Sequence, residues 1–182
     1  NGQYGMVASS KDQIRNVYEK ICTMIKLNPT WREQWDIGKN IITHKETNAK
    51  IMILPNTADA LESWHFNFLI FDELHTYPKV WDAGVKGQKV LWNPLTVGIT
   101  TAGDKREGFL WEMYSDKARR DPGMYLYWLG LDDDDDIEKR ADWEKIMVAS
   151  WVTWESIEDQ RGMAASARQF ERYTANRFPN DN

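Results

Sequence analysis

Two carboxylates in succession, Asp72-Glu73, follow the apolar run Leu69-Ile70-Phe71. A strand of that make-up is rigid. Carboxylates leaving its C-terminal end stand on the edge where open α/β sheets bind their ligands. In nucleotide hydrolysis such a pair divides two tasks. The first carboxylate helps to hold Mg2+, and the second orients or polarises the water that attacks the γ-phosphate. Along a regular strand neighbouring side chains point to opposite faces, so both reach one ligand only where the strand ends and the chain turns. Taken alone, the same residues also read as a strand that ends at the surface in acidic side chains.

A second group, Val97-Gly98-Ile99-Thr100-Thr101-Ala102-Gly103, puts two hydroxyls at the end of a neighbouring strand. Hydroxyls donate and accept hydrogen bonds, so they can respond to the presence of a phosphate. Ala102 and Gly103 leave room for close backbone approach and a sharp turn. By itself this stretch reads more readily as an ordinary strand-to-helix turn.

The elements around these groups follow from periodicity. Tyr4-Gly5-Met6-Val7-Ala8 is a short apolar run fit for a buried strand, and Ser10 with Gln13 has capping-box spacing. Ile14, Val17, Tyr18, Ile21, Met24 and Ile25 then mark one face of a helix that Asn28-Pro29 stops. Ile41-Ile42-Thr43 and residues 49–54 flank polar Glu46-Thr47-Asn48, which predicts an antiparallel strand pair with a short turn. Residues 66–71 and 95–99 are two further strands, with helical stretches between. A helix is predicted over 107–119 and a strand over 125–131. Beyond that the pattern is helical from Asp142 onward, with Gly162 its one interruption. Apolar strands ending in small or acidic residues predict a mostly parallel sheet covered on both faces, with a helical C-terminal segment.

The chain has 182 residues and a formal charge of −5, which the acidic run 132–136 alone accounts for. A length of this order predicts one domain. Hydrophobic content of 42% with 13% aromatic residues argues against disorder. There is no overall basic field of the kind a stand-alone nucleic-acid binder carries. The single cysteine, Cys22, excludes an internal disulfide framework and fits a reducing compartment. No apolar run approaches the roughly 18 residues of a membrane helix.

Together, Phe71-Asp72-Glu73-Leu74-His75 and Ile99-Thr100-Thr101-Ala102-Gly103 resemble the Walker B strand and the coupling motif of the large terminase subunit of tailed bacteriophages. Ala8-Ser9-Ser10-Lys11-Asp12-Gln13 is similar to the strand-helix that follows the P-loop unit in that family. The stretch from Phe170 through Arg172, Asn176 and Phe178 resembles the helix that leads out of the ATPase domain. The resemblance implies a RecA-like, P-loop NTPase-type sheet flanked by helices. It implies ATP and Mg2+ as ligands, with Asp72 holding Mg2+ through water and Glu73 as the catalytic carboxylate. Thr100, Thr101 and Gly103 would sense the γ-phosphate and couple its loss to movement, and His75 would stand behind the carboxylates.

It further implies a homo-oligomeric ring on a portal protein, double-stranded DNA as cargo, a small terminase subunit that selects it, and a place in the host cytoplasm rather than the mature virion. No Gly-x-x-x-x-Gly-Lys-[Ser/Thr] occurs in the 182 residues. The chain therefore reads as an internal piece of a terminase ATPase domain, incomplete at its N-terminus. Residues 1–131 would be the α/β core, and 132–182 an acidic loop and helices leading toward a nuclease domain. A strand is expected upstream, pairing beside residues 4–8. The isolated piece is expected to be inactive. Two other readings are a non-catalytic remnant or interaction module of the same fold, and another RecA-like motor.

Other features carry less. The acidic run 132–136 reads as a solvated loop, because five consecutive acids cannot converge on one cation. His65 and His75 stand at opposite ends of one strand, too far apart for joint metal ligation. The ten tryptophans are scattered and form no repeating platform, so most read as packing residues.

Overall fold

Six strands form one sheet in the order β2-β3-β4-β1-β5-β6, and the computed structural model describes residues 1–74, 78–117 and 120–180. The strands are β1 (Gln3–Val7), β2 (Trp35–Ile37), β3 (Ile41–His44), β4 (Lys50–Leu54), β5 (Phe68–Asp72) and β6 (Leu95–Ile99). β4, β1, β5 and β6 run parallel, while β2 and β3 are antiparallel additions at one side. The mostly parallel α/β sheet is the architecture predicted from the apolar runs, and the antiparallel pair around Glu46-Thr47-Asn48 lies where the turn signal placed it.

Helix α1 (Lys11–Leu27) begins at Ser10, whose side chain accepts the Gln13 N–H at 3.2 Å. Gln13 completes only half of a capping box, since its carboxamide oxygen accepts the hydroxyls of Ser9 and Ser10. Asn28 ends this helix and caps the next, α2 (Pro29–Gln34), by accepting the Trp31 N–H. Proline at the first helical position costs no hydrogen bond, so one Asn-Pro pair both stops and starts a helix. Helices α3 (Ala58–Glu62) and α4 (Pro78–Gln88) lie between β4 and β6 in the chain.

Alternation along the strands sorts two faces. Met6, Ile42, Ile51 and Ile53 pack under Ile14, Tyr18, Cys22 and Ile25 of α1, with Ile70 among the partly buried residues at that cluster. Burial pushes the Tyr18 hydroxyl up to about 12, and it donates to the Gly38 carbonyl at 2.8 Å. Leu69, Phe71 and Val7 face the other way and are wholly buried, as is Leu61 of α3. Each such side chain contributes about 1.5–3 kcal/mol. The predicted cover on both faces is incomplete. On the face of α1, Leu95 and Ile99 of β6 are 56% and 52% exposed.

The strand expected to pair beside residues 4–8 has no place there. β1 is already bonded on both sides, to β4 and β5, and β6 has an unpaired edge among the described residues. Near their N-terminal ends β5 and β6 are tied by buried Gln88. Its Nε2 donates to the carbonyls of Phe66 and Leu95 at 3.0 and 3.2 Å, and its Oε1 accepts the Thr96 hydroxyl.

By contact the chain divides into two compact units, residues 1–100 and 101–182. The second carries α5 (Gly108–Glu112) running into one π-type turn over Met113–Lys117, then α6 (Arg140–Trp143), α7 (Trp154–Met163) and α8 (Ala167–Tyr173). Here the structure departs from three expectations. The helix predicted over 107–119 is α5 plus the π turn, with 118–119 outside the described residues. Residues 125–131 form no strand; Tyr125 and Tyr127 are exposed, and the Leu131 N–H donates to the Ala175 carbonyl at 2.9 Å.

From Asp142 onward the predicted helical region is the end of α6, then α7 and α8; the break expected at Gly162 falls just after it, at 164–166, and a second, unpredicted break spans 144–153. Its breaks come from new caps. Thr153 and Ser156 form a reciprocal capping box at α7, and the Ser166 side chain accepts the Gln169 N–H at α8. The core of this unit is Leu131, Trp143, Ile157, Phe170 and Ala175. A separate aromatic group joins Trp111, Tyr114, Trp128 and Phe178, with Trp128 and Phe178 stacked 5.6 Å apart. Trp143 and these rings are the packing tryptophans the sequence suggested, but Trp92 and Trp151 are 95% and 81% exposed.

Candidate functional site

β5 delivers Asp72 as its last residue. Beneath it, Phe71 lies 5.2 Å from the Trp81 ring, centroid to centroid, and Gly84 lets α4 approach the strand. A Cβ at Gly84 would fall 2.9 Å from Leu69 Cδ1 and 3.1 Å from Phe71 Cζ. The strand end therefore rests on a closely packed layer, with little freedom to shift.

Glu73 then leaves strand geometry with φ 58. Four non-glycine residues with positive φ occur among the described residues; Asn48, Asn93 and Asn176 are three, and Glu73 is the fourth. Asparagine tolerates the left-handed region because its short amide bonds locally, whereas a glutamate there is uncommon. Held this way, Glu73 costs on the order of 1–3 kcal/mol, which the packing around it must offset. The consequence is geometric. Regular alternation would send Asp72 and Glu73 to opposite faces, and the left-handed turn at Glu73 breaks that alternation. Both side chains are half-buried.

The turn is supported from β6. Leu74, 3% exposed, packs over Gly98, where a Cβ would fall 2.5 Å from Leu74 Cδ2. Gly98 is a residue that sequence reasoning passed over; the glycine inside an apolar strand was its signal. Asp72 pairs in register with Ile99, so Thr100 follows one residue beyond, at the same C-terminal edge. Asp72, Glu73 and Thr100 are thus brought to one edge of two parallel strands. Thr101 and Gly103 belong to the second unit, and His75 lies outside the described residues. His65 bonds through Nδ1 to the Gly87 carbonyl at 2.8 Å.

In the second unit, the Ala102 N–H donates to Asn176 Oδ1 at 2.7 Å, and Arg172 Nε donates to the Ala102 carbonyl at 2.8 Å. The acidic run is tied down by basic residues. Lys145 pairs with Asp132 and Asp135, Arg106 forms a two-pronged pair with Asp133, and Arg177 Nη1 donates to the Asp132 and Asp135 carbonyls. The hydrogen bond from Arg106 holds the Asp133 carboxyl below the usual carboxylate range. Its stabilisation is present above the ordinary value of 3.8 and is lost as pH falls through the lower folded value. The wild type should therefore melt above Asp133→Asn from pH 7 down to 5. The difference should close below pH 3.8. A gap independent of pH in the melting curves would remove the ionic account of this pair.

The C-terminal edge of these parallel strands carries two adjacent acidic residues, the second in the left-handed region, and a threonine after the neighbouring strand, on the edge where open α/β sheets bind ligands. The model of the family "Terminase large subunit, ATPase domain" matches residues 1–119, more than half of the chain, and the chain belongs to that family. A search of the curated proteins returned no significant match. Among solved structures, the large terminase of bacteriophage HK97 is similar at 21% identity and a TM-score of 0.81, covering 98% of this chain and 40% of that one. The large terminase of a thermophilic bacteriophage is similar at 13% identity and a TM-score of 0.65, covering 98% and 41%. A second structure of that thermophilic phage's large terminase, in complex with ADP, gives 11% identity and a TM-score of 0.56, covering 95% and 40%. These likenesses establish the fold as that of the terminase ATPase domain, RecA-like. The chain spans about 40% of the length of these relatives.

Proposed function

We propose that this domain is the ATP-hydrolysing motor of a phage large terminase, driving double-stranded DNA into a capsid. The observation that carries the reading is the Asp72-Glu73 pair at the end of β5, with Glu73 held at φ 58. Strain of that kind at a strand end is characteristic of functional sites. Family membership and the ADP bound to a relative of the same fold support a nucleotide as the ligand.

The residues present fit one part of a nucleotide site. Mg2+ is commonly held by one or two carboxylates, the rest of its shell being substrate phosphate and water, and a single half-buried aspartate at a strand end matches that demand. When bound, Mg2+ would neutralise charge building on the phosphate oxygens. Asp72 would hold it through water. Glu73 orients the attacking water and takes its proton. Thr100 donates or accepts toward the γ-phosphate position.

A phosphate-cradling loop is not among the 182 residues, so turnover is measured in the full-length subunit. The working assembly in this reading is a ring on the portal, supplied with DNA by a small subunit, in the host cytoplasm. Among the described residues no helix is long and apolar enough to cross a membrane.

Asp72→Asn in the full-length subunit tests the assignment. It should raise the Mg2+ concentration needed for half-maximal ATP hydrolysis at least tenfold, since one charge-assisted ligand is worth about 1.4 kcal/mol or more. An unchanged Mg2+ requirement would take Asp72 out of the site.

A further inference from the structure

We propose that Asn176 and Arg172 are positioning residues for the coupling stretch, gripping the main chain at Ala102 and linking it to the segments around Leu129 and Phe178. The inference rests on the reading of residues 100–103 as that stretch.

Ala102 is wholly buried, so both its peptide N–H and its carbonyl need partners. No backbone group in the turn supplies either of the bonds described. Instead Asn176 Oδ1 accepts from the N–H at 2.7 Å, and Arg172 Nε donates to the carbonyl at 2.8 Å. Both side chains come from the C-terminal end of the unit, more than 60 residues away in sequence.

Asn176 uses the other end of its amide as well. Its Nδ2 donates to the Leu129 carbonyl at 2.9 Å, so one side chain bridges the coupling stretch and a second segment. Its backbone, at φ 47, is left-handed, a conformation asparagine tolerates. Gly130 completes the fit: a Cβ there would fall 2.3 Å from the Asn176 carbonyl oxygen.

The grip continues down the loop. Gly103 admits the Phe178 ring, whose Cε1 would be 3.0 Å from an added Cβ. Arg168 Nη2 donates to the Asp104 carbonyl, and Arg106 Nη2 donates to the Phe178 carbonyl at 3.1 Å. Side chains that hold main-chain atoms follow the path of the backbone whatever residue stands there. Any displacement of Ala102 must therefore either break two partly buried hydrogen bonds or carry Asn176, and with it Leu129, along.

Asn176→Gly suits the left-handed backbone and deletes only the amide, while Asn176→Asp keeps an acceptor toward the Ala102 N–H. In the full-length subunit, the DNA length moved per ATP hydrolysed should fall at least tenfold in Asn176→Gly, which loses both amide bonds, and recover in part in Asn176→Asp, which regains only the bond from the Ala102 N–H. In the 182-residue chain, amide exchange at Ala102 should accelerate about tenfold in Asn176→Gly while β1 and β5 keep wild-type protection. Unchanged exchange at Ala102 overturns the grip. An unchanged ratio of DNA moved to ATP spent, or equal loss of hydrolysis and transport with no recovery in Asn176→Asp, overturns the positioning role. A wild-type subunit that hydrolyses no ATP overturns the motor reading itself, and is told apart by that measurement.

Discussion

In the full-length subunit, Glu73→Gln should lower the maximal rate of ATP hydrolysis by about 10²–10⁴-fold, the range a positioned general base supplies. ATP binding should stay within a few-fold of wild type. The amide keeps the size of the carboxylate and one acceptor oxygen, but it cannot take a proton from water. Glu73→Gly separates chemistry from folding. Glycine adopts φ 58 without the strain glutamate bears, so this variant should melt no lower than wild type while losing turnover to the same degree. Hydrolysis retained in Glu73→Gln would end the catalytic role assigned here. A large drop in the melting temperature of Glu73→Gly would show instead that the side chain is needed for packing.

Phe71→Ala should destabilise the chain by about 3–5 kcal/mol, the usual cost of emptying a fully buried phenylalanine site. Phe71 is wholly buried, lies against Trp81 and closes on Gly84, so the surrounding residues have little scope to collapse into the space. Denaturant unfolding measures the loss directly. A change under about 1 kcal/mol would contradict the close packing beneath the strand end. The same substitution removes the support under Asp72, so hydrolysis in the full-length subunit should fall even at temperatures where the variant remains folded.

The strands bearing Asp72 and Thr100 were legible because short apolar runs ending in polar residues leave few alternatives. The capping serine of α1 and the Asn-Pro stop were legible for a similar reason, since their signals lie within a few residues. Residues 125–131 misled because an apolar, aromatic run resembles a strand whether or not another strand offers a ladder. Here the Leu131 N–H bonds to Ala175 and the Leu129 carbonyl to the Asn176 side chain, partners more than 40 residues away. The helical pattern reaches past the last helix, which ends at Tyr173 with Thr174 as its cap; beyond it Asn176 is left-handed and its side chain accepts from the distant Ala102 N–H.

Local chemistry, then, was written in the order of residues: two adjacent carboxylates, two adjacent hydroxyls, a strand before each, and a family resemblance carried by both. Strand order was not. That β1 lies between β4 and β5, with β6 at one edge of the sheet among the described residues, depends on crossovers whose course no neighbouring residue specifies. Nor could spacing show that Glu73 takes a left-handed turn over Leu74 and Gly98, or that Gln88 ties β5 to β6. Those features need contacts between residues distant in the chain, and such contacts form only when the whole sheet is assembled.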